Sequence, residues 1–209
     1  MDQNNYQWLT RILGVTVSAD LRWHRRVDNV CLKASRTLNF IRRNVYHCSP
    51  EAKHLAYTSL IRPQLEYAVA AWDPYTARDT AQLEKVQRRA ARFAKKDFRR
   101  TTSATQLLSD LSWNQLADRR GSARLCMLFK AIHGLAAIPT DSFQRPSRAT
   151  RYSTEHTFIN LSCRIDAYRF SFFPRTIVDW NALTEAVRLK PSVDSFRAAL
   201  QTHHPPSCY

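Results

Sequence analysis

The residues with the most chemistry to offer in this sequence are cations at helical spacing. Lys85, Arg88, Arg89, Arg92, Lys95 and Lys96, continued by Arg99 and Arg100, form a dense run beside which stand only Glu84 and Asp97. On a helix opening near Asp79, Arg88, Arg92 and Lys95 share one face and Lys85, Arg89 and Lys96 another. Such a row can track a sugar–phosphate backbone, each phosphate contact adding roughly one unit to the salt slope of binding. A second group, Arg25, Arg26, Lys33, Arg36, Arg42 and Arg43, lies on the outer faces of what reads as an earlier helix. The plain alternative for either row is the solvated face of an amphipathic helix. The whole-chain balance favours the first reading. Thirty-two Lys and Arg against 17 Asp and Glu give a formal charge of +15, which draws polyanionic partners such as RNA or DNA.

Other chemistries find less support. Two-metal phosphoryl transfer needs converging carboxylates. Asp28, Glu66, Asp118 and Asp179 instead stand singly in helical patterns, where an ion pair is the default role, and no Asp-Asp pair occurs in the chain. No glycine-flanked serine elbow or active-site cysteine phrase appears. His24, His54 and His133 fall on helical stretches where packed or surface roles are the norm. The cysteines, Cys31, Cys48, Cys126, Cys163 and Cys208, are odd in number and lack zinc-site spacing. Reduced, mostly buried thiols are expected, in an intracellular (nuclear or cytoplasmic) setting. The opening MDQNNYQWLT lacks the basic and apolar regions of a secretory signal. The longest apolar run, Tyr67 to Trp72, falls far short of the ~20 residues of a membrane span. The expectation is a soluble, non-secreted chain with no cofactor, no metal, no membrane partner and no enzymatic activity. It starts almost directly with a strand, as a fragment would.

The elements that must carry these cations are mostly helices. Only three glycines occur, too few for an all-β chain or a glycine-rich phosphate loop. Arg11–Val17 is apolar and β-branched and reads as one strand. Ser18 and Asp20 offer caps for a helix whose apolar face is Val27, Val30, Cys31, Ala34, Leu38 and Ile41. Ser49-Pro50-Glu51 is a second start signal. Pro63 should kink or break that helix. Leu65–Trp72 reads as the most buried helical segment, stopped by Asp73-Pro74. Leu83, Val86, Ala90 and Phe93 or Ala94 form the stripe of the Asp79 helix. A short helix follows from Ser103 to Leu108, and a longer one from Trp113 to His133 with Gly134 as its stop. Trp72, Trp113, Phe93, Phe129 and Trp180 lie on apolar stripes and read as core rather than as base-stacking groups. Phe172 and Phe173 read as a staple onto a helix from about Pro174 to Leu183. Phe196 and Leu200 anchor a last helix from Ser192.

Four phrases in order carry a resemblance: LGVTVSADLRWHRRVDNVCLKASRTLNFIRRN, YTSLIRPQLEYAVAAWDPY, LEKVQRRAARF and SFFPRTIVDWNAL. Together with Leu111-Ser112-Trp113 and Arg119-Arg120, they resemble the thumb and tail region, downstream of the polymerase core, of LINE-type non-LTR retrotransposon reverse transcriptases. The likeness is to the Jockey and chicken-repeat clades and spans roughly residues 8 to 200. It implies a mainly α, thumb-like helical bundle with one short N-terminal strand and a small helical C-terminal tail. The organisation expected is a strand remnant of the polymerase core over 1–17, a helical domain over 18–134, an exposed linker over 135–164, an aromatic-rich helical tail over 165–201 and a loose end over 202–209. The function implied is non-catalytic: gripping a template–primer backbone by shape, without sequence readout, beside an upstream RNA-directed DNA polymerase core. The family's Tyr/Phe-x-Asp-Asp motif is absent here. Trp180-Asn181-Ala182-Leu183 is followed by Thr184 where the family often has proline. The rival reading is a helical protein-interaction module using Leu65–Trp72 or the aromatic tail.

Overall fold

The apolar run expected as one strand over Arg11–Val17 folds back on itself. In the computed structural model, which describes residues 9–138, 143–146 and 156–202, β1 (Leu9–Ile12) pairs antiparallel with β2 (Val15–Ser18), Ile12 opposite Val15. The two residues between them, Leu13 and Gly14, both take positive φ, 46° and 79°. That is the geometry a two-residue hairpin needs to match the strand twist. Gly14 accepts it freely. The rest of the described chain is helical or irregular, so the fold is mainly α.

The described residues belong to two compact units, 1–119 and 120–209. In the first, α1 (His24–Asn44) and α5 (Ala77–Lys95) are the long elements. Ser18 and Asp20 do not cap α1. The Ser18 hydroxyl sits 2.5 Å from an Asp20 carboxylate oxygen, and Asp20 accepts the Arg22 amide at 3.1 Å, so both close a turn ahead of the helix. α5 starts two residues earlier than expected. Thr76 is its cap, accepting the Asp79 amide while its hydroxyl donates back to the Asp79 carboxylate at 2.8 Å. α1 buries Val27, Val30, Ala34, Leu38 and Ile41, and α5 buries Leu83, Val86, Ala90 and Phe93.

Three cross-links fix the direction of this pair. The His24 ring is hydrogen-bonded to Asp79 at 2.8 Å, Gln82 donates to Asp28 at 2.9 Å, and Arg89 donates to Ser35 at 3.4 Å. Partners advance together along both helices, so α1 and α5 run parallel and their C-terminal ends lie side by side.

The segment between them crosses back. Ser49 caps α2 (Pro50–Ala56), accepting the Ala52 amide at 3.3 Å. A π-helical turn, Tyr57–Ile61, then leads into α3 (Arg62–Glu66). Pro63 is the cause: it has no N–H to give, and widening the preceding turn removes its clash with the carbonyl four residues back. The stretch expected as one buried helix, Leu65–Trp72, is broken at Ala68, where φ is 54°. Only Leu65, Val69 and Trp72 of it are buried, and α4 (Val69–Trp72) is a single turn. The Trp72 indole reaches back to donate to the Tyr67 carbonyl at 2.7 Å, which holds the break. α6 (Ala104–Asp110) follows where a short helix was predicted. Trp113 stacks on Tyr57 with 3.9 Å between ring centroids and donates to His54.

α7 (Leu116–Ile132) is the helix expected from Trp113, and Gly134 at φ 67° ends it, with the Leu135 amide returning to the Lys130 carbonyl. The first compact unit ends at Arg119, within α7. Leu125, Leu128 and Phe129 of α7 share one core with Trp180 and Phe196. Phe143 and Phe158, both inside the expected linker, are buried in the same core. Aromatic burial overrides the proline- and serine-rich composition around them. The remainder of that segment, 139–142 and 147–155, lies outside the described residues, as do 1–8 and the end at 203–209.

The second unit closes with α8 (Asp166–Arg169), α9 (Phe172–Asn181), α10 (Glu185–Arg188) and α11 (Val193–Thr202). Phe172 and Phe173 form the first turn of α9 rather than a staple ahead of it. Trp180 donates to the His156 carbonyl at 2.8 Å. Asn181 meets both backbone groups of Phe158, accepting its amide at 3.1 Å and donating to its carbonyl at 2.8 Å. These two neighbours thus pin the returning chain to α9.

Candidate nucleic-acid interface

The parallel α1–α5 pair gives the two cationic rows a common frame. Asp28–Gln82 and Ser35–Arg89 mark the seam between the helices. At 100° per residue, Arg25, Arg36 and Arg43 lie on α1 just beyond that seam, on the side away from the core. Lys85, Arg88 and Arg92 occupy the matching place on α5. The result is two basic ridges bordering one polar seam. Lys85 to Lys95 spans about 15 Å at 1.5 Å per residue.

The cations divide by what they touch. Arg25, Lys33, Arg36 and Arg43 on α1 and Lys85, Arg88 and Lys95 on α5 are exposed. Their side chains form no ion pair among the described residues. Arg100 is exposed as well.

Others of the sequence-predicted set hold the fold. Arg26 is only 9% exposed. It donates to the Gly14 carbonyl at 2.8 Å and lies 5.2 Å from the Trp72 ring centroid, tying the hairpin turn to the core. Burial lowers its pKa, with Arg11 nearby adding to the effect. A residue in that position cannot reach a phosphate, so Arg26 leaves the candidate site. The apolar periodicity of α1 hides this, because Arg26 lies at the edge of the buried stripe next to Val27. Arg89 is half-buried against Ser35.

Arg92 is also half-buried and clamps the loop after α5. It donates to the Arg99 carbonyl at 2.8 Å and the Thr102 carbonyl at 3.0 Å. Asp97 completes that loop. It accepts from the Arg99 guanidinium at 2.9 Å, from the Thr102 hydroxyl at 2.8 Å and from the Arg99 amide at 3.0 Å. These bonds, the one from the Arg99 side chain first, hold the Asp97 carboxyl well below the usual range. Arg99 is therefore the one member of the predicted set with a carboxylate partner among the described residues.

Three groups that sequence reasoning did not single out gather at the C-terminal end of the pair. Lys53 of α2 is 1% exposed, and its ammonium has no hydrogen-bond acceptor among the described residues. It lies 5.1 Å from the Phe93 ring centroid and 5.8 Å from that of Tyr46. Lys96 stands 5.7 Å from the same Tyr46 ring. Arg42 stands 5.7 Å from the ring of Phe98. Burial first, and the Lys96 charge second, push the Lys53 amine below its ordinary pKa. No local pattern in the sequence joins Tyr46, Lys53, Lys96 and Phe98, since they come from three separate segments.

The carboxylates are spent singly. Glu66 accepts from Arg119, Glu84 from the Ala117 amide at 2.9 Å, and Asp79 from His24 and Thr76. No group of three or more His, Cys, Asp and Glu that could hold a metal occurs among the described residues. Among the described residues, Cys48, Cys126 and Cys163 form no disulfide, and Cys31 is buried. No described helix is long and apolar enough to cross a membrane. Comparison with protein-family models, with curated proteins and with solved structures finds no match for this chain.

Proposed function

We propose that this chain is a non-catalytic nucleic-acid-binding region that grips a sugar–phosphate backbone across the α1–α5 seam without reading sequence. The observation that carries this reading is the paired ridge. Arg25, Arg36 and Arg43 on α1 face solvent beside Lys85 and Arg88 on α5 with no carboxylate partners among the described residues, while other cations of the same helices are drawn into the fold. A ridge of about 15 Å matches on the order of four phosphate steps of one strand at about 3.4 Å each. Two such ridges on parallel helices suit a duplex held by its shape.

The resemblance of the sequence to the thumb and tail of LINE-type reverse transcriptases supports the same reading and suggests an RNA–DNA hybrid as the duplex. An intracellular setting, nuclear or cytoplasmic, and an upstream polymerase core as neighbour belong to this proposal. The test is a salt titration of binding to an RNA–DNA hybrid. Affinity should fall steeply between low and physiological salt. Absence of binding at low salt overturns the reading.

A second reading, a helical protein-interaction module, draws on the exposed apolar side chains Leu55 and Leu60. Of the two surfaces the sequence suggests for it, the Leu65–Trp72 stretch buries Leu65, Val69 and Trp72, whereas Tyr168 of the aromatic tail is exposed.

A further inference from the structure

The parallel course of α1 and α5 brings two exposed aromatic rings to the C-terminal end of the helix pair. Tyr46 is 47% exposed and Phe98 is 51% exposed. Each has a cation near its ring, Lys96 and Lys53 by Tyr46 and Arg42 by Phe98, at 5.7 Å or 5.8 Å from the centroid, and the His47 ring meets Tyr46 edge-on at 5.1 Å. A half-exposed ring with a cation beside it offers a flat face to a second π system and a positive charge to whatever phosphate follows.

The platform is built rather than incidental. Phe98 sits in the loop that Arg92 clamps through two carbonyls and Asp97 closes through Arg99 and Thr102. Lys53 supplies an independent sign of a missing partner. Its ammonium is enclosed between Tyr46 and Phe93, faces the Lys96 amine, and has no acceptor among the described residues. Lys53 itself is too buried to reach a phosphate, but a phosphate oxygen on the exposed Lys96 would offset the repulsion between the two amines.

We propose that this end of the α1–α5 pair is a stacking platform for an unpaired nucleic-acid strand, with Tyr46 and Phe98 taking bases and Lys96, Arg42 and Arg100 taking phosphates. The proposal rests on the backbone-gripping reading above and adds to it a site for the single strand that leaves a duplex. Base stacking on aromatic side chains tolerates any sequence, which agrees with a grip that reads none.

The test compares two probes on the full chain at one salt concentration: an oligonucleotide of about 12 bases without secondary structure and an RNA–DNA hybrid of the same length. Tyr46→Ala with Phe98→Ala should weaken single-strand binding by roughly tenfold for each ring, and hybrid binding by less than about twofold. Tyr46→Leu and Phe98→Leu keep apolar bulk but remove the flat face, so they should lose the same single-strand affinity if the alanine variant is poorly folded. Phe98→Trp should bind the single strand at least as tightly as the parent. Equal loss on both probes, or single-strand binding indifferent to the rings, overturns the platform; indifference would leave the rings to a protein partner. Should the hybrid fail to bind while the single strand binds through the rings, the duplex grip falls and the platform stands.

Discussion

Neutralising the exposed ridge of α5 should flatten the salt dependence of hybrid binding without harming the fold. The perturbation is Lys85→Gln, Arg88→Gln and Lys95→Gln together. These three are chosen because they are exposed and free of ion pairs among the described residues, whereas Arg89 and Arg92 of the same helix bond to Ser35 and to the Arg99 and Thr102 carbonyls. Each phosphate contact adds about 0.9 to the slope of log affinity against log salt, so three contacts add about 2.7. Between about 50 and 200 mM salt, that slope alone accounts for roughly a fortyfold fall in affinity, which the parent should show and the triple variant should not. The assay is fluorescence anisotropy with a labelled hybrid across that salt range, with thermal unfolding followed by circular dichroism as the control. Surface substitutions of this kind should move the melting temperature by no more than about 2 °C. The reasoning is refuted if the variant keeps the parent's slope while still folded, because the ridge would then be a solvated face and nothing more.

Three further outcomes test the structural assignments. Arg26→Met should destabilise the first unit by about 2 kcal/mol, since it removes the bond to Gly14 and the contact with Trp72. Its salt slope should be unchanged, and a reduced slope in the folded variant would return Arg26 to the interface. Lys53→Met should stabilise the chain by about 1–2 kcal/mol in chemical denaturation, because an unpartnered buried ammonium is replaced by an apolar side chain of similar length. Lys53 also predicts a pH trend. Its folded-state pKa lies below the ordinary 10.5, so the folded chain binds fewer protons than the unfolded one between those two values. The penalty is complete below the folded pKa and disappears as pH rises to the unfolded one, so parental stability should recover across that window while the methionine variant shows no such gain. Trp180→Ala should cost about 3–5 kcal/mol in the second unit, where the indole fills the core and donates to His156. A loss below about 1 kcal/mol would mean that the packing around α9 is wrong.

Much of this architecture was readable from spacing alone. The apolar stripes of α1, α5 and α7 announce helices because burial on one face forces a 3.6-residue repeat. Ser49-Pro50 and Gly134 mark an end each because their backbone and side-chain chemistry suits only a helix terminus. The hairpin was hidden because its turn uses Leu13-Gly14 without the usual Asn or Asp. The break at Ala68 was hidden because alanine carries no signal for a left-handed backbone; the indole of Trp72 bonding to Tyr67 selects it. The burial of Phe143 and Phe158 within the expected linker was hidden because composition reports solubility, whereas each ring follows whichever core lies within reach.

The cations show the same limit at the level of the site. Sequence determined that α1 and α5 are basic helices, since charge and periodicity are properties of each segment by itself. It could not separate Arg26 from Arg25, or Arg92 from Arg88, because whether a guanidinium faces solvent or a carbonyl depends on what another segment places there. Nor could it join Tyr46, Lys53, Lys96 and Phe98. Their meeting requires α1 and α5 to run parallel, and that direction is set by the crossover through α2 to α4 and by cross-links such as His24–Asp79.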